Sequence, residues 1–141
     1  MTVGLETVAA EQWLYSVLAN DATLTSALGA SRIYSTVVPP DGVFPCVLFA
    51  LQDPRDFLKS GPYRVWTTAL YVVRVIGQTT SYSPLTTAAA RLDALLRAAS
   101  GTVALGTVWG CVRERPYSTF ELDSGGKQYR HLGGIYRVWV S

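Results

Sequence analysis

The chain predicts an α+β fold: a mostly antiparallel sheet of about four to five strands with two main helices packed on it, in one domain spanning residues 1–141. Three observations carry this. Apolar residues recur at helical spacing near the amino end and again after Pro84. Between and beyond those segments lie runs rich in β-branched and aromatic residues, bounded by Pro, Gly and Asp. The strand-like runs follow one another without alternating helices, which favours hairpins over parallel crossovers.

The first helix is expected from about Glu6 to Ala19, because Ala10, Trp13, Leu14, Val17 and Leu18 fall on one face. Asn20-Asp21 stops it, and Asp21 caps a short helix with Leu24, Ala27 and Leu28 inward, closed by Gly29. Arg32–Val38 reads as a strand ended by Pro39-Pro40-Asp41-Gly42. Pro45–Leu51 is a second strand, with proline first, where a missing donor costs least. Gln52–Tyr63 holds charges, two prolines and a glycine, and is expected to be a solvated loop or hairpin tip.

Arg64–Ile76 is the strongest strand. Trp66, Thr68, Leu70, Val72, Arg74 and Ile76 share one side; Val65, Thr67, Ala69, Tyr71, Val73 and Val75 share the other. Neither side is polar, so both are expected to be covered, one by helices and the other by a neighbouring subunit. Gln78–Ser83 is a polar turn, and Ser83 as N-cap before Pro84 starts a helix that runs to about Ala99. Leu85, Ala88, Ala89, Leu92, Leu95, Leu96 and Ala99 form its apolar stripe, with Arg91, Asp93 and Arg97 toward water. Gly106–Tyr117 and Tyr129–Val140 then form a hairpin around Asp123-Ser124-Gly125-Gly126. Leu132, Tyr136, Val138 and Val140 share a face, and Gly133-Gly134 marks a bulge or a close backbone approach.

Composition narrows the function. Charged residues make up only 16% against a hydrophobic fraction of 49%, where soluble domains usually carry about 25% charge. Apolar patches covered by other subunits reconcile those figures. A net charge of +2 is too small to argue for nucleic acid. All but two of the basic residues are arginine, as expected for desolvated contacts or from a coding bias. No run reaches the roughly 20 apolar residues of a membrane span, and Met1-Thr2-Val3-Gly4 does not open a secretion signal. A soluble protein made in a cytoplasm is expected, with no membrane partner.

Chemistry is scarce. Cys46 and Cys111 lie in apolar strands and read as two reduced core thiols, able to bridge only if their strands are close neighbours. With His131 they show no metal-ligand spacing. His131 is the single histidine, leaves Ser-His and Cys-His arrangements without support, and reads as a surface or interface imidazole. Asp53 with Asp56, and Glu121 with Asp123, are carboxylate pairs in turn-like surroundings. Gly101, Gly106 and Gly110 lack phosphate-loop spacing. No catalytic residue, metal or cofactor is assigned, and the chain is expected not to be an enzyme.

Two features suggest contact surfaces instead. Arg113 and Arg115, two apart in one strand, point the same way, joined by Lys127, Arg130 and Arg137 and interleaved with Tyr117, Phe120 and Tyr129. Such a face could stack bases, but Glu114, Glu121 and Asp123 among the cations favour salt bridges between subunits. The segment Asp53–Pro62 sets Phe57 and Leu58 between Arg55, Asp56 and Lys59. It is either a tip folded back on the domain or an arm that docks on a neighbour through Phe57.

The passage Arg32-Ile33-Tyr34 through Pro39-Pro40-Asp41-Gly42 to Phe44-Pro45-Cys46-Val47-Leu48 resembles the tail completion, or tail terminator, proteins of long-tailed bacteriophages. Leu24, Ala27, Leu28 and Gly29 before it, and the closing Tyr136-Arg137-Val138-Trp139-Val140, follow in the order of that family. Cys46 departs from it, since an aromatic often stands there, as does the long polar segment after Leu51. The resemblance implies a virion protein of the tail or neck, assembled in the host cytoplasm as a hexameric ring at the head-proximal end of the tail tube. Such a ring stops tube polymerisation and joins the tail to the head connector, or stopper, protein. DNA passes through its channel without sequence-specific binding. Another head–tail connector, a minor tail protein, or a small-ligand-binding α+β domain remain the alternatives.

Overall fold

The computed structural model describes residues 5–58 and 64–141. Helix α1 (Glu6–Ala19) buries Ala9, Ala10, Trp13, Leu14 and Leu18, the expected stripe with Val17 at its margin. Helix α2 (Ala22–Leu28) is capped as its sequence requires: the Asp21 carboxylate accepts the Leu24 N–H at 2.8 Å. Gly29 ends it at φ 89°, a left-handed turn that favours glycine. Leu24 and Leu28 point inward, but Ala27 is exposed, because seven residues offer too short an arc to bury all three.

Strand β1 is only Ile33–Ser35, shorter than the expected Arg32–Val38, since Thr36 turns to φ 70°. Strand β2 (Cys46–Leu58) is longer than expected. The segment read as a polar loop after Leu51 continues as strand, pairing Asp53–Leu58 with Leu70–Arg64. Its polarity reflects an edge position rather than a loop, and an edge is also where Pro54 is tolerated. Strand β3 (Arg64–Gln78) follows. A turn of 3₁₀ helix at Ser83–Leu85 leads into α3 (Thr86–Leu96). Ser83 does not cap with its side chain; its carbonyl instead accepts the Thr86 hydroxyl at 2.9 Å. The helix stops before Ala99 because Ala98 adopts φ 57° and donates its N–H to the Cys111 carbonyl.

Strand β4 (Gly101–Val103), not anticipated, pairs with the start of β5 (Gly106–Leu122), and β6 (Gln128–Val140) completes the sheet. The six strands run β1-β2-β3-β6-β5-β4, antiparallel throughout except for the β1–β2 pair. The fold is thus α+β as expected, with a larger sheet: the extra strand, β4, is a three-residue piece without a periodicity of its own.

The three helices pack on one face. Ala69, Tyr71, Val73 and Val75 of β3, with Tyr136, Val138 and Val140 of β6, meet Trp13, Leu14, Leu92 and Leu96 there. Both large phenols in this core are satisfied: Tyr71 donates to the Thr7 carbonyl at 3.1 Å and Tyr136 to the Asp93 carboxylate at 2.8 Å. Burial pushes both phenol pKa values up. Asp93 and Arg91, expected to face water, are therefore engaged. Arg91 makes a forked pair with Asp21 at 2.9 and 2.7 Å, tying α3 to the start of α2. Gly133 is the close approach: a Cβ there would lie 2.1 Å from the Val73 carbonyl oxygen. In the β5–β6 pair the bulges lie in β5, between Val108 and Gly110 and between Arg113 and Arg115.

Cys46 and Cys111 are free, buried thiols in separate apolar clusters on opposite faces of the sheet. Burial raises their pKa values to about 11 and about 12, which keeps both protonated and unreactive at neutral pH. No helix among the described residues is long and apolar enough to cross a membrane.

Candidate functional site

The face turned away from the helices carries the features that folding alone does not require. Cross-strand pairing fixes what lies on it: Thr68 beside Trp139, Leu70 beside Arg137, Val72 beside Ile135, and Ile76 beside His131. The alternation read from β3 is correct, and both of its sides are buried, Val72 at 2% and Val73 at 0% exposure. The second cover expected from a neighbouring subunit is supplied in part by this chain. Arg137 bonds the Glu114 carboxylate and the Thr68 hydroxyl, and the Arg74 guanidinium lies 5.6 Å from the Tyr117 ring centre. Long basic stems shield apolar neighbours while their heads stay polar.

One end of this face is aromatic. Trp66, Trp109 and Trp139 with Val65, Gly110 and Ser141 line an open cleft of about 570 Å³. Trp109 is 65% exposed and Trp66 41%. Trp109 is the extra residue of the first β5 bulge, which turns its ring outward, and its indole N–H donates to the Ser141 hydroxyl at 2.7 Å. The Phe57 ring, 46% exposed, lies 6.3 Å from that of Trp66 and extends the patch. Exposed aromatics gathered this way are typical of contact surfaces.

The other end is a shallow hollow of about 270 Å³ lined by Phe44, Leu48, Arg74, Ile76, Tyr129 and His131, among others. His131, expected as a surface or interface imidazole, is only 5% exposed in the single chain, because Ile76 and Tyr129 flank it in the ladder. Its Nε2 lies 2.6 Å from a Glu121 carboxylate oxygen, while Nδ1 has no partner. Burial lowers its pKa, Glu121 opposes that shift, and Arg74 adds to it. The imidazole is thus held neutral with Nε2–H as donor, which orients a side chain rather than activating one.

No protein-family model matches this chain, and a search of curated proteins gives no match. Among solved structures, a chain from the virion of a native gene transfer agent particle shares its fold. That chain is 19% identical with a TM-score of 0.71, over 97% of this chain and 98% of its own. The likeness therefore concerns the architecture from end to end.

The residues singled out from sequence do not form one patch. Arg113 pairs in register with Tyr136 and Arg115 with Ile135, adjacent residues of β6 that face opposite ways. Arg113 and Arg115 therefore point to opposite faces, contrary to the spacing argument, because Glu114 is a bulge residue. Arg113 reaches to 4.0 Å from Asp93 on the helix side. Arg130 is turned inward between Tyr82 and Phe120 and bonds the Thr80 carbonyl at 3.0 Å. Arg55 pairs with Asp53 at 3.0 Å within β2, and Asp56 accepts the Thr67 hydroxyl of β3 at 2.7 Å. Leu58 ends β2 by its backbone, and Lys59, with the tip of the proposed arm, lies outside the described residues.

The tryptophan cluster was missed in the sequence because its members sit far apart in the chain. Their assembly depends on the registers that set Trp66 beside Phe57 and Trp139 beside Gly110. A further cleft of about 500 Å³, between Gly42–Pro45 and Pro84-Leu85, has no ionisable side chain in its lining. Among the described residues no group of three or more His, Cys, Asp or Glu is placed to hold a metal.

Proposed function

We propose that this chain is a structural virion protein that forms a ring at the head-proximal end of a phage tail tube. There it ends tube polymerisation and joins the tail to the head connector, with DNA passing through the ring and no catalysis involved. The observation that carries the reading is the end-to-end fold shared with a chain of a gene transfer agent virion. The sequence resemblance to tail terminators supports the position within the particle. The exposed tryptophan end and the charged face beside it supply contact surface for neighbours of two kinds, tube and connector.

Electron microscopy of particles made without this protein tests the assignment. A terminator's absence gives tails of irregular, extended length that fail to join heads. Tails of uniform length would sink the terminator reading. Uniform tails left without heads would point instead to a connector that joins without measuring.

A further inference from the structure

The sheet leaves two long strand edges open, at opposite ends of its order. β4 covers only Gly106–Val108 of β5, and β1 covers only Val47–Phe49 of β2. Beyond those positions neither outer edge has a strand neighbour among the described residues. Soluble proteins seldom leave such edges without a device against random pairing. Here each edge carries one proline, Pro116 in β5 and Pro54 in β2.

Backbone hydrogen bonds reveal which groups point outward. In an antiparallel pair the N–H and C=O of one residue point to the partner, and those of the next point away. Asp123 donates to the Lys127 carbonyl, so Phe120, Ser118 and Pro116 direct their groups away from β6. Ala98 donates to the Cys111 carbonyl, which fixes Cys111 and Arg113 as outward on the near side of the Glu114 bulge. On β2, Val47 donates to Arg32 and Phe49 accepts from Thr36, so Leu51 also points outward. Across the bulge at Gln52, Pro54 and Asp56 continue the outward series.

We propose that β5 of one subunit pairs antiparallel with β2 of the next, with Leu51 opposite Ser118, Pro54 opposite Pro116, and Asp56 opposite Arg113. This deepens the ring reading and rests on it. The four long strands alternate in direction, so the two open edges meet antiparallel in a head-to-tail arrangement with the helices kept on one side. That is the heterologous contact that closes into a ring. The two bulges let the series stay in step: all three pairs match outward group to outward group and lie on the helix side of the sheet. Setting the prolines opposite each other gathers both missing donors at one pair, so the ladder is interrupted once rather than at two places, with the two carbonyls there left without an N–H. Asp56 meets Arg113 with opposite charge. On the other side Asp53 sits diagonal to Arg115, offsetting the meeting of Arg115 with Arg55. Relative to the level of the strands within one subunit, the pairing slides β2 by about four rungs of the ladder, roughly 14 Å, across four strand spacings of about 4.8 Å. The resulting tilt of roughly 35° lies at the lower end of the range of closed barrels.

Arg55 and Arg115 fall at a pair without mutual hydrogen bonds, where Cα atoms approach to about 4.5 Å, within reach of a disulfide. Arg55→Cys and Arg115→Cys chains, mixed and oxidised under assembly conditions, are expected to give a cross-linked dimer that neither gives alone. A Tyr15→Cys chain on α1 should not cross-link with either. Carrying both substitutions in one chain should give a ladder ending at the ring. Ser118→Pro removes an N–H that the single subunit does not use; it should fold normally while weakening self-association about tenfold or more. Wild-type rings seen without the Arg55–Arg115 cross-link, or rings formed normally by Ser118→Pro, overturn the edge pairing and leave the ring reading standing. Wild-type protein that never self-associates, alone or on tail tubes, overturns both.

Discussion

The two faces of the sheet are buried to similar depth by different means. On the helix side, apolar side chains from α1, α2 and α3 close over β3 and β6, and the few polar groups there are capped by single bonds such as Tyr136 to Asp93. On the opposite side, Val72 and Ile135 are equally hidden, yet the chain sets Arg74, Arg137, Glu114 and Tyr117 about them. The first arrangement rests chiefly on shape and apolar contact. The second keeps charge at the surface and ends in exposed tryptophans, an arrangement suited to meeting other molecules. Folding is thus secured from the helix side, while the opposite side leaves polar and aromatic groups exposed.

That division can be broken most severely at the helix side. Phe49→Ala, at 1% exposure in the core, should cost about 3–5 kcal/mol in denaturant unfolding. A loss below about 1 kcal/mol would mean that this core is not closely packed. Gly133→Ala should follow at about 2–3 kcal/mol, because the new methyl meets backbone rather than a movable side chain.

A smaller effect is expected where α2 meets α3. Asp21→Ala should cost about 1 kcal/mol through the lost cap. Asp21→Asn keeps a good cap and should cost less; equal losses would show that the Arg91 pairing, not the cap, dominates. The hydrogen-bonded Arg91 guanidinium holds the Asp21 pKa below its ordinary 3.8. The carboxylate's contribution is therefore full above that value and lost as the pH falls through the lowered one. Thermal melts of wild type and Asp21→Asn should converge in that acidic range.

The opposite face responds to pH at a higher value. Folding favours neutral His131, so stability should decline as the pH drops below the ordinary 6.5 toward the lowered folded value, then level off. His131→Gln should flatten that slope; an unchanged slope would place the titrating group elsewhere. The smallest effect on folding should come from Trp109→Ala, within about 0.5 kcal/mol of wild type. Its incorporation into particles should nonetheless fall sharply, as should that of Phe57→Ala, and normal incorporation of both would remove the aromatic end from the contact surface.

Much of this architecture was legible in the chain. The stripe Ala10-Trp13-Leu14-Leu18, the Asp21 cap and the two sides of β3 all follow from local periodicity, and all three stand as read. What failed depended on register. Arg113 and Arg115 obey a period of two only in an unbulged strand, and the bulge at Glu114 arises from pairing with β6, not from a signal in β5. Polar residues 53–58 look like a loop because an exposed edge strand and a loop share a composition. β4 is too short to show a pattern, and β1 is shorter than its residues suggest because its turn at Thr36 has no signal in the residue type. The candidate surface was legible only as single residues, since the contacts that gather tryptophans 66, 109 and 139 span the length of the sheet.

The indoles divide three to one. Trp13 is sealed beneath the helices, while the other three border an open cleft. Intrinsic emission from this protein therefore contains two separable signals, a blue component that vanishes only on unfolding and a red, quencher-accessible one. Any event that excludes water from the cleft shifts the second and leaves the first untouched, so docking can be followed optically without a label.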